Sequence, residues 1–289
     1  MRTFIPAPNR TSPAVVVVGE GLIGSAVTRR LRRRARDREV YQTTDWNEPT
    51  LGSDLRATLE GAEADRIEVI WCAGTWGMNS NDGVEHAVVQ FRRNVEDLVE
   101  AASDHGSMRF HLTSSAGALG CPSGERRFTI VDSPYRQIKQ AEEDIASELV
   151  TDLRIHRITS VYGSPSRTGR SGLIGALVKN ALRSRETPLY ARTVTMRNYV
   201  HAIDVAEALV RATGDESLES TLLASRRSHP MREVVAATQK VVRRTVPVSY
   251  RPPSNAHDMV FNPKVVSSLV PQRPLTAGTR MVHDALIGH

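Results

Sequence analysis

Residues 14–27 read AVVVVGEGLIGSAV. Four valines after an alanine make an unbroken, mostly β-branched run, the pattern of a strand buried on both faces. The run stops at a glycine cluster and passes directly into helical spacing, with Ile23, Val27 and Leu31 recurring every four residues. The predicted order is strand, tight turn, helix. Gly19, Gly21 and Gly24 fit G-x-G-x-x-G, in which the glycines permit the turn, the approach of a pyrophosphate to the backbone, and close packing of helix on strand. The N–H groups opening the helix would then bind an anion. An ordinary glycine turn is the alternative. Glu20 is unexpected in such a turn, because a carboxylate beside a pyrophosphate is repulsive unless it points away.

Beyond this unit, strand and helix patterns alternate. EVYQTT at 39–44 reads as a second strand whose tip offers Thr44 and Asp45, about 20 residues past the glycines, where an acid can bind a ribose hydroxyl. The 22 residues from 45 to 66 hold one helical stretch, about 53–61, which predicts an abbreviated sheet edge. IEVIWCAG at 67–74 is a buried strand ending in small residues. A helix over 84–103, a strand over 108–115 (MRFHLTSS), a further helix and a strand over 153–163 (LRIHRITSVYG) follow. This alternation predicts an α/β fold with a parallel, doubly wound sheet.

The chain has 289 residues, 40% of them hydrophobic, enough for one large domain or two lobes with a buried core. No apolar run of about 18 residues is present, and the opening MRTFIPAPNRTSP lacks the apolar centre of a signal peptide. A cytoplasmic protein with a loose leader over 1–13 is expected. Cys72 and Cys121 form no paired spacing, so neither a disulfide framework nor a metal site is indicated. The net charge of +6 is concentrated in RRLRRRARDR at 29–38. Those arginines read as the solvated face of an amphipathic helix, with attraction of anionic substrates and nucleic-acid binding as alternatives. The last lacks aromatic interleaving or any known reading motif.

SPYRQIKQAEEDI at 133–145 places Tyr135 and Lys139 four apart on one helical face, where an ammonium can stabilise a phenolate. Taken in order, GEGLIG, WCAG, Asn94, LTSSAG, YRQIK, RITSVYG and RNYVHAIDVAEA resemble the extended short-chain dehydrogenase/reductase family of NAD(P)-dependent epimerases, dehydratases and ketoreductases. The likeness spans about 14–289. It implies a Rossmann-type dinucleotide-binding domain over 14–163 and 197–213, and a substrate-binding lobe over 164–196 and 214–289. It also implies NAD or NADP as cofactor, a nucleotide sugar as substrate and a homodimer formed through helices over 84–103 and 134–149; no nucleic-acid or membrane partner is expected from the composition.

Carried over by position, the resemblance makes Ser115, Tyr135 and Lys139 the catalytic group. Cofactor contacts fall on Gly19, Gly21, Leu22, Ile23, Gly24, Thr44 or Asp45, Cys72, Ala73, Gly74 and Asn94, and substrate-phosphate contacts on Arg197, Arg170 and Arg167. Arginine suits that last task because its planar fork meets phosphate oxygens bidentately. The departures are as informative as the matches. The glycine string is one residue shorter than the family's usual spacing, and Ser160 stands where asparagine is usual. Sugar 4,6-dehydratases carry an Asp-Glu pair after the catalytic hydroxyl, whereas Ala116, Gly117 and Ala118 follow Ser115. Cys121, His111, His156 and His201 read as packing or backbone-bonding residues. The resemblance therefore implies a ketoreductase, with a 4-epimerase as the close alternative. A cofactor-binding sensor without turnover is a third reading, although the loss of Ser115, Tyr135 or Lys139 that would mark it has not occurred.

Overall fold

A computed structural model of the chain describes residues 13–34, 40–43, 51–59, 66–74, 83–103, 106–121, 132–165, 169–218, 220–251 and 258–288. Thr44, Asp45 and Arg167 lie outside these residues. The first half runs β1 (Ala14–Val18), α1 (Leu22–Arg34), β2 (Val40–Thr43), α2 (Leu51–Leu59), β3 (Arg66–Trp71), α3 (Val84–Ser103), β4 (Ser107–Ser115), α4 (Ala116–Leu119) and α5 (Pro134–Leu149). The chain continues through β5 (Asp152–Ile158), β6 (Ser160–Tyr162), α6 (Gly172–Leu182), β7 (Thr187–Leu189), β8 (Met196–His201) and α7 (Ala202–Ala212). It closes with β9 (Thr221–Leu223), β10 (Ser228–Pro230), α8 (Met231–Val242), β11 (Val248–Tyr250) and α9 (Leu275–Ile287). No helix among the described residues is long and apolar enough to cross a membrane.

Six parallel strands form the main sheet in the order β2-β1-β3-β4-β5-β9. Among the described residues β2 is one edge, so the sheet has the short edge expected from the single helix in 45–66. The valine run of β1 is wholly buried because both faces are covered. Val16 and Val18 join Val69, Trp71, Phe110 and Leu112 beneath α2, α3 and α5, whereas Val15 and Val17 join Ile70 beneath α1 and α7. Trp71 anchors the first layer, its ring 5.2 Å from Phe91 in an edge-on contact and 6.1 Å from Phe110. Each such side chain removed from water contributes about 1.5–3 kcal/mol. Chain order reverses between β1 and β3, and in open α/β sheets the crevice at that point takes the ligand.

The arginine run is mostly solvated: Arg29, Arg32, Arg33 and Arg34 are exposed and Leu31 is buried. Two of its members also tie layers together. Arg30 and Arg34 both pair with Glu207 of α7, which Arg211 reaches as well.

Two expectations are corrected. The single strand over 153–163 is two strands, because Thr159 breaks it. Its N–H bonds to the Leu223 carbonyl at 3.2 Å and its hydroxyl to Asn198 Oδ1 at 3.0 Å. Backbone and side chain thus serve different sheets, and β6 leaves for a three-stranded sheet ordered β10-β8-β6. For the same reason the strand at 197 does not rejoin the main sheet; only α7 returns to it. The far edge is closed by β9, inside the segment assigned to the lobe. A separate core packs α6, α8 and α9 around Tyr162, Ile174, Leu177, Val234 and Val282.

One stripe beneath the α7 side is polar. Glu68, His111, His156 and Thr221 come from four adjacent strands and bond in series, at 3.2, 3.0 and 2.8 Å. Glu68 also accepts from the Gly214 N–H at 2.8 Å and from Arg66 at 2.9 Å. Burial opposes its charge, but His111, Gly214 and Arg66 together hold its carboxyl below the usual range. His111 and His156 therefore pack and bond without facing solvent, and His201 caps α7 through Nδ1, which accepts from the Ile203 N–H at 3.1 Å.

Burial first, then neighbouring positive charge, holds His156 well below its ordinary value and brings His201 down to about 4. Both are neutral in the folded chain, whereas in the unfolded chain they take up protons near pH 6.5. Stability is thus fully present above about pH 6.5 and falls as pH drops, by up to about 1.4 kcal/mol per pH unit for each group. Thermal melts should show a declining Tm between pH 7 and 5. His201→Asn, which keeps a capping oxygen but cannot titrate, should show a shallower decline.

Candidate active site

The glycine turn is built by contacts too close for side chains. Gly19 has φ of +100°, and a Cβ there would lie 2.8 Å from the backbone of Ala73. A Cβ on Gly24 would lie 2.0 Å from the Gly19 carbonyl oxygen. These two positions bring α1 down onto the tips of β1 and β3, where the Cys72 N–H bonds to the Val18 carbonyl at 2.8 Å. Gly21 differs, since nothing among the described residues lies within 4 Å of the place its Cβ would take. The turn thus has an open cradle in front of the first N–H groups of α1, which lack intrahelical acceptors. Leu22 and Ile23 open α1, and Ala73 and Gly74 follow the tip of β3.

The second half of the site comes from α5. Ser133 caps the helix, its hydroxyl accepting from the Arg136 N–H at 3.1 Å, and Pro134 opens the first turn. Tyr135 and Lys139 therefore emerge in the first and second turns. The Lys139 amine lies 3.5 Å from the Thr113 carbonyl of β4 and 2.6 Å from Glu142 Oε2. Burial opposes its charge, but Glu142 and then Tyr135 outweigh that, and the amine titrates above the usual lysine range. Glu142 is raised by its own burial, with Lys139 pulling the other way. Cys72, at the tip of β3, feels both Lys139 and Thr113; burial dominates and lifts its thiol to about 12, so it is protonated at neutral pH.

Ser115 ends β4 and is the N-cap of α4, accepting from the Ala118 N–H at 3.2 Å. The turn behind it is clamped. Arg157 of β5 bonds twice to Glu143, at 2.9 and 2.6 Å, and its remaining nitrogen donates to the carbonyls of Leu119 and Cys121 at 3.2 and 3.1 Å. Ser114 donates to the same Glu143 at 2.5 Å. Sequence reading missed Glu142, Glu143 and Arg157. The spacing of Lys139 and Glu142, three apart on a helix, was an available signal for one pair; Arg157 meets Glu143 only through the sheet.

The other expected residues are spread around this centre. Asn94 is buried on α3 and accepts from Gln90 at 3.2 Å. Arg170 is exposed and its guanidinium lies 3.5 Å from the Gly74 carbonyl, which links the segment before α6 to the tip of β3. Arg197 is half-buried on β8 and donates to the Met196 carbonyl at 3.1 Å; burial lowers its pKa, with Tyr199 and Asp258 acting oppositely. Ser160 opens β6.

A parallel doubly wound sheet, a glycine cradle at its switch point and a Tyr-Lys helix beside it define a dinucleotide-binding α/β protein. A model described as the NAD dependent epimerase/dehydratase family matches residues 15–220. The chain belongs to that family; it is an enzyme, and a nicotinamide dinucleotide is its cofactor. No curated protein matches the chain. Solved structures are similar over nearly whole chains. The UDP-glucose 4-epimerase of Thermotoga maritima, solved with UDP-glucose, is 18% identical with a TM-score of 0.75 over 95% of this chain and 99% of that one. The UDP-glucose 4-epimerase of Thermus thermophilus, in complex with NAD, is 23% identical, with a TM-score of 0.70 and the same coverage. The dTDP-glucose 4,6-dehydratase of Bacillus anthracis, also with NAD, is 15% identical with a TM-score of 0.72, over 96% and 97%.

Gly21 has open space before it, whereas Gly19 and Gly24 are packed against backbone, so the fold tolerates a side chain at Gly21 and not at Gly24. Gly24→Ala should abolish a cooperative melt. Gly21→Ala should melt within a few degrees of the parent yet lose most of the Tm rise caused by added NAD, reflecting affinity weakened by roughly tenfold or more.

Proposed function

We propose that the chain transfers a hydride between its nicotinamide cofactor and a sugar carbon of a nucleotide-linked keto-sugar, acting as a ketoreductase. The observation that carries this reading is the placement of Lys139. Its amine is held by Thr113 and Glu142 at the tip of β4, within electrostatic reach of the Tyr135 phenol, on the strand that ends in Ser115. An ammonium has three donors, so one remains for a ribose hydroxyl or a phenolate after Thr113 and Glu142 take theirs. Tyr135 is assigned the proton exchanged with the carbinol or carbonyl oxygen. Ser115 accepts from Ala118, which leaves its own proton to donate to that same oxygen. When bound, the nicotinamide supplies and accepts the hydride.

Cofactor contacts are assigned to Gly19, Gly21, Leu22, Ile23, Gly24, Cys72, Ala73, Gly74 and Asn94. Asp45 is assigned the ribose hydroxyl, which favours NAD because a carboxylate repels a 2′-phosphate. Arg197, Arg170 and Arg167 are assigned the substrate phosphates, and the elements from α6 onward, α7 and β9 apart, the choice of sugar. Ala116 and Gly117, next to Met259, bring no acid to the floor beside Ser115, which argues against elimination of water. Dimerisation through α3 and α5 fits the exposed Val89 on α3.

A 4-epimerase is the second reading, favoured by the two UDP-glucose 4-epimerases that align over almost their whole length. The two separate on cofactor bookkeeping. With a matched nucleotide sugar, a ketoreductase should consume reduced nicotinamide stoichiometrically, seen as falling absorbance at its long-wavelength band; an epimerase should change the sugar while that band stays level. Under either reading Tyr135→Phe should cut turnover by about 10²–10⁴ while NAD binding persists. Unchanged turnover in that variant would rule out Tyr135 as the proton carrier.

A further inference from the structure

We propose that Glu142 is a positioning residue of the proton-transfer step, holding the Lys139 ammonium from behind and cancelling part of its charge, so that it governs where on the pH scale the Tyr135 phenol exchanges its proton. This rests on reading Tyr135 and Lys139 as the proton-transfer pair. The Glu142 Oε2 to Lys139 Nζ separation is 2.6 Å, with the two side chains 8% and 11% exposed. At that burial the pair is scarcely screened, and removal of one partner leaves an uncompensated charge.

Among the described residues Glu142 is the acid bonded to the amine, and Glu143 adds a weaker pull from the next position. On α5 the neighbouring acid, Glu143, is taken by the two bonds from Arg157 of β5 and by the Ser114 hydroxyl of β4. Among the described residues, the amine meets the Thr113 carbonyl from β4 and the protonated Cys72 thiol beyond β3. α4 brings no titratable group, and the charged bond between α3 and α5, Arg92 to Glu148, involves exposed side chains at the far end of the helix. Two adjacent acids thus divide two cations. Arg157 with Glu143 fixes the turn carrying Ser115, and Lys139 with Glu142 fixes the amine beside Tyr135.

A carboxylate there opposes phenolate formation and an unshared ammonium promotes it. In Glu142→Gln, which keeps shape and removes charge, the limb of the pH–rate profile that reports the phenol should move to lower pH by at least about half a unit. KM for the cofactor should change less than kcat. A merely structural role would lower the Tm and leave the limb in place. A second readout needs no substrate: the phenolate absorbance of the full chain, taken as the difference from Tyr135→Phe, should develop at lower pH when Glu142→Gln is present. If that absorbance shifts while no nucleotide sugar is turned over, the functional reading fails and the positioning role stands. If neither the limb nor the absorbance moves, the proposal is overturned. Should the Gln variant fail to melt cooperatively, Glu142→Asp, which draws the charge back by one methylene, should give a smaller shift in the same direction; its absence would equally overturn the proposal.

Discussion

The tight packing of the glycine turn against its neighbours is the constraint on which the rest depends. Gly24 lies so near the Gly19 carbonyl that any Cβ would fall 2.0 Å from the oxygen, and Gly19 itself leaves no room against Ala73. Because α1 can settle there, its first turn faces the crevice between β1 and β3, and the buried valines behind it have a helix to pack against. The open space at Gly21 is a by-product of the same turn. One local geometry therefore closes the core and leaves open space at the start of α1.

The second determinant is the management of charge at low exposure. Near the end of β4, Lys139 pairs with Glu142 and Arg157 with Glu143, each at 2.6 Å, and each of the four is costly to bury alone. Pairing them makes the burial tolerable, and the choice of pairs has chemical content. Arg157 spends its remaining donors on the carbonyls of Leu119 and Cys121, which pins the turn holding Ser115. Among the described residues Lys139 bonds to Thr113 and Glu142, two acceptors for an ammonium that has three donors.

Polarity is handled differently beneath α7. The Glu68–His111–His156–Thr221 stripe replaces apolar contacts where the connection from α7 to β9 crosses the sheet, and the Gly214 N–H completes it. Asn198 does similar work between sheets, accepting from Thr159 and the Ser225 N–H and donating to the Ser225 carbonyl. These bonds join segments far apart in the chain. They explain why β6 departs from β5 and why β9, rather than β8, ends up at the edge of the main sheet.

Much of this protein was written in local pattern. A valine run before glycines fixes a buried strand and a tight turn, and Ser133-Pro134 fixes where α5 starts and hence where Tyr135 and Lys139 emerge, because these effects act over a few neighbouring residues. The order of motifs was enough to indicate the family. Period-two alternation says that a residue is extended but not which sheet it joins, so the break at Thr159 and the placement of β8 and β9 were decided by partners such as Asn198 and Leu223. In the same way, the residue names showed two acids after Lys139, whereas only the packing of α5 on β4 and β5 gave one of them to lysine and the other to Arg157.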